Sequence, residues 1–179
     1  MKKNVVLIGF MGTGKSSVGR RLAKILKMDF VDTDAEIEKL TGLTVAQIFA
    51  RHGEKRFRSE EELIVKKVAR RQNCVIATGG GVVLNPENVK NLKETGVIIC
   101  LTAEPETILE RVKRRNTRPL LPRGSTVERV NELMEQRRAY YEAAADYTVD
   151  TTHLTREEVV KEILKLLEKG DMKCEEPSG

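Results

Sequence analysis

Residues 5–16, "VVLIGFMGTGKS", decide the fold of this chain. The apolar run "VVLIG" predicts a buried strand, and the helical spacing of the apolar residues after Ser16 predicts an amphipathic helix. Between them, residues 9–16 match the pattern G-x-x-x-x-G-K-[ST] in full. A glycine-rich turn in this position directs backbone N–H groups and a helix N-terminus at phosphate oxygens. The segment therefore predicts an α/β fold that binds a phosphorylated ligand at this loop.

The same loop predicts a nucleotide and a metal ion. Lys15 would reach the β- and γ-phosphates, and the Ser16 hydroxyl would hold Mg²⁺. A GTPase would also need the base-reading motif N-K-x-D, which the sequence lacks. We therefore expect ATP and Mg²⁺ as cofactors. The other loop residues expected to contact the nucleotide are Gly12, Thr13, Gly14 and Ser17.

Four more β-rich runs alternate with helical patterns, and they begin near residues 29, 74, 96 and 146. Their apolar residues are nearly continuous, which is typical of strands covered on both faces. Alternating strands and helices imply right-handed crossovers and parallel strands. We predict a three-layer α/β sandwich with a five-stranded parallel sheet and helices on both faces.

Length and composition indicate one domain. The chain has 179 residues, and we assign 1–169 to a single domain and 170–179, "GDMKCEEPSG", to a disordered tail. The N-terminal apolar run resembles a signal peptide only superficially, because it is short and no cleavage site follows. Three cysteines without a pairing pattern suit a reducing compartment. We expect a cytoplasmic protein without a membrane span.

The charge balance is basic, with a formal net charge of +5. A basic balance fits nucleic acid, anionic lipid or a small anionic substrate. With four phenylalanines, three tyrosines and no tryptophan, the chain has little material for stacking on bases. We therefore expect no nucleic-acid partner.

Acidic and glycine residues are divided between two strand ends. The segment that ends in "VIATGGG" carries no acid, so Asp32 or Asp34 of "VDTD" must support the metal. Thr33 and Glu36 fit a capping box, which would place Asp34 in the first turn of a helix. The three glycines, Gly79, Gly80 and Gly81, are then left to line the pocket of a second substrate.

One basic stretch interrupts the regular pattern. Residues 110–126 hold six cations against one acid, with two prolines and a glycine. Such a loop within a compact domain suggests a mobile cover over something anionic. We place this lid at about residues 112–125.

Taken together, these motifs resemble those of the shikimate kinases, of the nucleoside-monophosphate-kinase-like P-loop group. The resemblance covers about residues 4–168. It implies a P-loop kinase fold with a lid, strand order 2-3-1-4-5 and an acceptor-binding region at about 33–61. It also implies transfer of the γ-phosphoryl of ATP to the 3-hydroxyl of shikimate, on the route to chorismate and the aromatic amino acids. The segments that carry it are "GFMGTGKSSVGRRLA", "FVDTDAEIE", "FARHGEKRFRSEE", "TGGGVV", "RPLL" and "MEQRRAYY".

The resemblance assigns the acceptor to a small set of residues. Arg58 and Arg137 match the arginines that bind the shikimate carboxylate, for which a guanidinium fork is suited. Arg56 and Arg138 are the neighbouring alternatives. Asp34 matches the residue that holds the reacting hydroxyl, and it could orient that hydroxyl or take its proton. We expect orientation, because phosphoryl transfer depends mainly on positioning.

The resemblance also assigns residues around the phosphates. Asp32 looks like the acid on the metal side, beside Ser16. Arg118 matches the lid arginine that covers the phosphates, and it would act with Lys15 and Asp34 in catalysis. Arg111 matches a residue that stacks on adenine, although Lys113, Arg114 and Arg115 crowd the same helix end. Gly80 would lie closest to shikimate among the three glycines.

Two other functions stay open at this stage. A kinase for another small hydroxy acid, such as gluconate, would share the phosphate loop but need not keep the acceptor motifs together. A non-catalytic regulatory or RNA-associated module would use the loop and the basic stretch only. We expect a monomeric enzyme whose partner is the small-molecule substrate shikimate.

Overall fold

The computed structural model describes residues 4–115, 121 and 124–174. Within these residues the chain forms five strands and seven α-helices. The strands are β1 (Asn4–Ile8), β2 (Asp29–Asp32), β3 (Cys74–Ala77), β4 (Gly96–Thr102) and β5 (Tyr147–Asp150). The helices are α1 (Lys15–Leu26), α2 (Thr33–Thr41), α3 (Val45–Ala69), α4 (Pro86–Thr95), α5 (Pro105–Arg115), α6 (Val127–Ala144) and α7 (Arg156–Cys174).

The described strands form one parallel sheet in the order β2-β3-β1-β4-β5. β1 lies in the middle, with Val5 paired to Val75 of β3 and to Val97 of β4. The expected strand number, direction and order are confirmed.

Helices cover both faces of the sheet, because successive strand residues point to opposite sides. Val6 and Ile8 of β1 pack in the core shared with α3, α4 and α6. Val5 and Leu7 pack in the core shared with α1 and α7. These two cores make the three layers of the predicted sandwich. No helix in the described part of the chain is long and apolar enough to cross a membrane.

The carboxyl ends of β1, β2 and β3 place the functional segments next to each other. The phosphate loop follows β1, the acids follow β2, and the three glycines follow β3. Thr78 joins two of these ends, because its N–H and its hydroxyl both donate to the Leu7 carbonyl, at 3.2 and 2.9 Å. Ligands of open α/β sheets bind at this edge, so the topology itself creates the candidate site.

Two expectations about segment ends are corrected. Asp32, not Thr33, caps α2, since its side chain accepts hydrogen bonds from the N–H groups of Asp34 and Ala35. Asp34 still lies in the first turn of this helix. The expected tail from residue 170 is helical as far as Cys174. Gly170 lies within α7, and a Cβ there would come 3.1 Å from the Tyr147 hydroxyl.

The expected lid lies partly outside the described residues. Its first part, residues 112–115, belongs to α5 and is helical, which corrects the start of the loop. Residues 116–120, 122 and 123 lie outside the described part of the chain. Residues 175–179 of the expected tail also lie outside it.

Candidate active site

The phosphate loop has the backbone that its glycines predict. Gly12 and Gly14 have φ values of 78° and 90°, a left-handed region that other residues rarely enter. Lys15 is 6% exposed, and its Nζ donates to the carbonyl oxygens of Gly9 and Phe10 at 2.6 and 3.0 Å. These two bonds hold the ammonium group beside the phosphate loop, where it lines the cleft and would contact phosphate oxygens.

Thr13 and Ser17 support the loop from within. The Thr13 hydroxyl donates to the Phe10 carbonyl at 2.8 Å, and the residue is 2% exposed. The Ser17 hydroxyl donates to the Gly14 carbonyl at 3.2 Å. Both hydroxyls are therefore engaged by the loop, which leaves the backbone N–H groups as the contacts these residues can offer a phosphate.

Two oxygen ligands suited to Mg²⁺ meet beside Lys15. The Ser16 hydroxyl donates to Asp32 Oδ2 at 2.7 Å, while Asp32 Oδ1 caps α2. Among the described residues, no cluster of three or more His, Cys, Asp or Glu could hold a metal ion. A hydroxyl and a carboxylate suit Mg²⁺, which takes few protein ligands and keeps waters and substrate phosphates. The residues present fit the metal.

The three glycines lie close to charged side chains, and none of them has a positive φ. A Cβ at Gly79 would lie 2.8 Å from Asp34 Oδ1 and 3.1 Å from Glu61 Oε2. A Cβ at Gly80 would lie 3.4 Å from Arg137 Nη1, and one at Gly81 would overlap the Arg58 guanidinium. Each glycine thus faces a different charged side chain, so the turn lines a compact polar pocket.

Arg58 is held by a buried acid. Arg58 Nη1 donates to Glu61 Oε1 at 3.0 Å, one helical turn further along α3. Glu61 is 1% exposed, and its Oε2 has no hydrogen-bond partner among the described residues. Burial raises the pKa of Glu61, with a smaller contribution from Asp34, although Arg58 and Arg137 oppose the shift. Arg56 instead pairs with Glu60.

Arg137 reaches the pocket from the opposite side. Its guanidinium lies 5.8 Å from the centre of the Phe10 ring and next to Gly80. Its Nη1 is buried and has no hydrogen-bond partner in the described part of the chain. This nitrogen can therefore donate a hydrogen bond to an anionic ligand. Arg138 is exposed and pairs with Glu135, so it is excluded as the alternative.

Asp34 lies between the acceptor pocket and the phosphate loop. Its N–H donates to Asp32 Oδ1 at 3.0 Å, which fixes the start of α2, and its Oδ1 faces Gly79. Asp34 lines one cleft together with Lys15, Ser16, Asp32, Gly79 and Gly80. A hydroxyl bound by Asp34 would therefore be near the site of the terminal phosphate.

Arg111 lies on the nucleotide side of the loop. It donates from Nη1 and Nη2 to the hydroxyl and the carbonyl of Thr151, both at 2.9 Å, and from Nη1 to the Gly12 carbonyl at 3.3 Å. Burial, with the nearby Arg115, lowers the pKa of the Arg111 guanidinium, which remains a cation. These bonds fix its plane beside a hollow where a base could stack. The hollow is lined by Gly14, Ser17, Arg114, Arg115, Leu154 and Arg156.

One cleft is lined by Lys15, Ser16, Asp32, Asp34, Gly79 and Gly80, and a second hollow by Ser17 and Arg111. Arg58 and Arg137 lie against Gly81 and Gly80. Arg118 lies outside the described residues, so its place in the lid stays a prediction. Sequence reasoning missed Glu61, Tyr141 and Thr151. The first two could have been found by helical spacing, since Glu61 follows Arg58 by three residues and Tyr141 follows Arg137 by four.

Comparison with known proteins identifies the family. The model of the shikimate kinase family matches residues 11–168. The shikimate kinase of Pelotomaculum thermopropionicum is 58% identical over 92% of this chain and 95% of its own length. That of Thermodesulfovibrio yellowstonii is 52% identical over 93% of this chain and 96% of its own length.

Solved structures of shikimate kinases have the same fold as this chain. The shikimate kinase of Acinetobacter baumannii in complex with shikimate is 35% identical, covers 94% of both chains and gives a TM-score of 0.89. The enzyme of Aquifex aeolicus is 40% identical, covers 94% of this chain and 98% of its own, and gives a TM-score of 0.81. The phosphate loop and the glycine turn line one cleft, and Arg58 and Arg137 lie against that turn. By its sequence and its structure, this chain belongs to the shikimate kinase family.

Proposed function

We propose that this cleft transfers the γ-phosphoryl group of MgATP to the 3-hydroxyl of shikimate. The observation that carries the proposal is the meeting of Arg58, Arg137, Asp34 and the three glycines beside Lys15 of the phosphate loop. Shikimate is a small ring with one carboxylate and several hydroxyls. The two arginines suit the carboxylate, the aspartate suits a hydroxyl, and the glycines let the ring approach the backbone closely. Neither gluconate phosphorylation nor a non-catalytic role would need all of these groups together.

Arg58 and Arg137 bind the acceptor carboxylate. They reach the glycine turn from different helices, at Gly81 and at Gly80 respectively. Two acids hold the Arg58 fork, because Nη1 donates to Glu61 at 3.0 Å and Nη2 donates to Glu54 at 3.4 Å. The other N–H groups of this guanidinium would bind the acceptor. A carboxylate that accepts from both guanidinium groups would be fixed in position and orientation.

Asp34 accepts a hydrogen bond from the reacting hydroxyl of the substrate. This bond orients the hydroxyl oxygen towards the terminal phosphate. Phosphoryl transfer needs alignment more than a strong base, so this contact orients the nucleophile. Lys15 stabilises the charge that spreads over the transferring oxygens.

Ser16 and Asp32 would hold Mg²⁺, with the Asp32 contact made through water. When bound, Mg²⁺ neutralises phosphate charge and orients the terminal group. Arg111 supports the base, and Arg118 would cover the phosphates when the lid closes. We further propose that the protein acts as a monomer in the cytoplasm, where its buried unpaired thiols, Cys74 and Cys100, stay reduced.

The acceptor assignment is tested by Arg137→Ala, with Arg138→Ala as the matched control on the same helix. Loss of charge-assisted hydrogen bonds should raise the shikimate Kd roughly 10- to 100-fold in Arg137→Ala, measured by calorimetry. The Kd for ATP should stay within about twofold, because Arg137 adjoins the phosphate loop at the Phe10 ring and not at the backbone N–H groups that would bind phosphate. Arg138→Ala should bind both ligands as the unmodified protein does. An unchanged shikimate Kd in Arg137→Ala would contradict the assignment.

A further inference from the structure

Tyr141 connects helix α6 to the glycine turn. It is 8% exposed, and its hydroxyl donates a hydrogen bond to the carbonyl oxygen of Gly80. Burial raises the pKa of Tyr141 to about 12, so the hydroxyl keeps its proton at neutral pH and remains a donor. No step of the reaction described above uses this residue.

This hydrogen bond is made to the glycine turn, residues 79–81, whose backbone is only weakly restricted by its own side chains. Glycine lacks the Cβ that restricts backbone rotation, so three in succession need outside contacts to hold one conformation. The peptide before Gly80 is held because the Gly79 carbonyl accepts from Val82 N–H at 3.2 Å. The peptide after Gly80 has its carbonyl held by Tyr141. Tyr141 therefore sets the plane of the Gly80–Gly81 peptide.

That plane controls the surroundings of both acceptor arginines. The Gly81 N–H is part of the Gly80–Gly81 peptide, and Gly81 lies directly against the Arg58 guanidinium. Arg137 lies one turn before Tyr141 on α6 and lies against Gly80. One helix thus carries both an arginine of the acceptor pocket and the hydroxyl that orients the pocket's backbone.

We propose that Tyr141 is a positioning residue for the acceptor, which holds the Gly80–Gly81 peptide in the orientation that shikimate binding requires. It does not touch the substrate: it acts through the peptide, and its hydroxyl also lies beside the Arg137 guanidinium. The inference rests on the function proposed above, because it assumes that the acceptor binds against this turn.

Tyr141→Phe tests the inference, since it removes the hydroxyl and keeps the ring. Tyr140→Phe is the matched control, because Tyr140 is the preceding residue and is 47% exposed. Loss of one buried hydrogen bond should raise the KM for shikimate about five- to tenfold. The KM for ATP should stay within about twofold, because the phosphate loop does not depend on this bond. Tyr140→Phe should change neither constant.

A second measurement follows the peptide itself. In glycine-labelled protein, the amide signal of Gly81 should shift or broaden in Tyr141→Phe, while those of Gly12 and Gly14 stay in place. An unchanged KM for shikimate, an equal rise in both KM values, an unshifted Gly81 signal, or failure of Tyr141→Phe to fold would each overturn the inference. Absence of shikimate turnover in the unmodified protein would instead overturn the proposed function, and the Gly81 signal would still test the bond.

Discussion

Glu60 and Glu61 are neighbours on α3 with different surroundings. Glu60 pairs with Arg56, and the side chains of the two residues are 14% and 63% exposed respectively. Glu61 is buried between Arg58 and the glycine turn, close to Asp34 and Arg137. Burial disfavours its charged form more than Arg58 favours it, so the pKa of Glu61 rises above its ordinary value of 4.5.

Glu61→Gln should change how stability depends on pH. A raised pKa in the folded state means that protonated Glu61 contributes stability that is fully present below pH 4.5 and is lost as pH rises through the raised value. Gln cannot lose a proton, so the variant should lack this loss. Urea unfolding from pH 4 upward would show it as a smaller fall in the free energy of unfolding. The matched control is Glu60→Gln, and an equal change there would contradict the assignment.

At the residue scale, sequence motifs predicted the candidate site residues but not the side chains that hold them in place. Arg58 and Arg137 were distinguished from Arg56 and Arg138 by matching the family pattern, and side-chain geometry gives the physical reason. Composition alone could not separate them, because all four are arginines on helices. Helical spacing would place Glu61 beside Arg58, but its burial is set by tertiary packing. The bond between Arg111 and Thr151 joins residues 40 positions apart, which no local pattern records.

At the element scale, α3 connects two parts of the acceptor region. Its first turn adjoins the cleft at Val45, and its later part carries Arg58. Between these parts Gly53 breaks the helical geometry, with φ 81°. The contact of the Phe49 and Phe57 rings, with centroids 4.8 Å apart, spans this break. The angle between the two parts is therefore held by packing.

The start of α3 is fixed by a capping box between Thr44 and Gln47. The Thr44 hydroxyl accepts from Gln47 N–H at 3.1 Å, and the Gln47 side chain accepts from Thr44 N–H at 3.0 Å. Thr44→Ala should lower the free energy of unfolding by about 1 kcal/mol, measured in urea. Thr44→Ser keeps the hydroxyl and should lose much less. Equal losses in the two variants would show that the methyl group, not the cap, provides the stability.

Element boundaries were predictable where a side chain makes a local bond. Thr44 and Gln47 form a capping box from residues three positions apart. Asp32 takes the cap expected of Thr33, because its carboxylate accepts from two successive N–H groups. Gly170 lies within α7, and its proximity to Tyr147 is a tertiary contact that its sequence neighbours do not reveal.

At the scale of the whole molecule, the sheet collects the chemistry at one edge. The parallel arrangement followed from the alternation of strands and helices, but the strand order was known only through the family resemblance. Once β1 lies between β3 and β4, the phosphate loop, the acids and the glycines become neighbours. Residues separated by more than 120 positions, such as Lys15 and Arg137, then serve one reaction.

The most direct test of the central claim is ADP release from MgATP, measured with and without shikimate, with gluconate, and with a nucleoside monophosphate. The account predicts strong stimulation by shikimate alone, with the other two compounds leaving the rate at its basal value. Stimulation by gluconate or the nucleoside monophosphate but not by shikimate, or by none of them while ATP still binds, would contradict the acceptor assignment and leave only the phosphate loop explained.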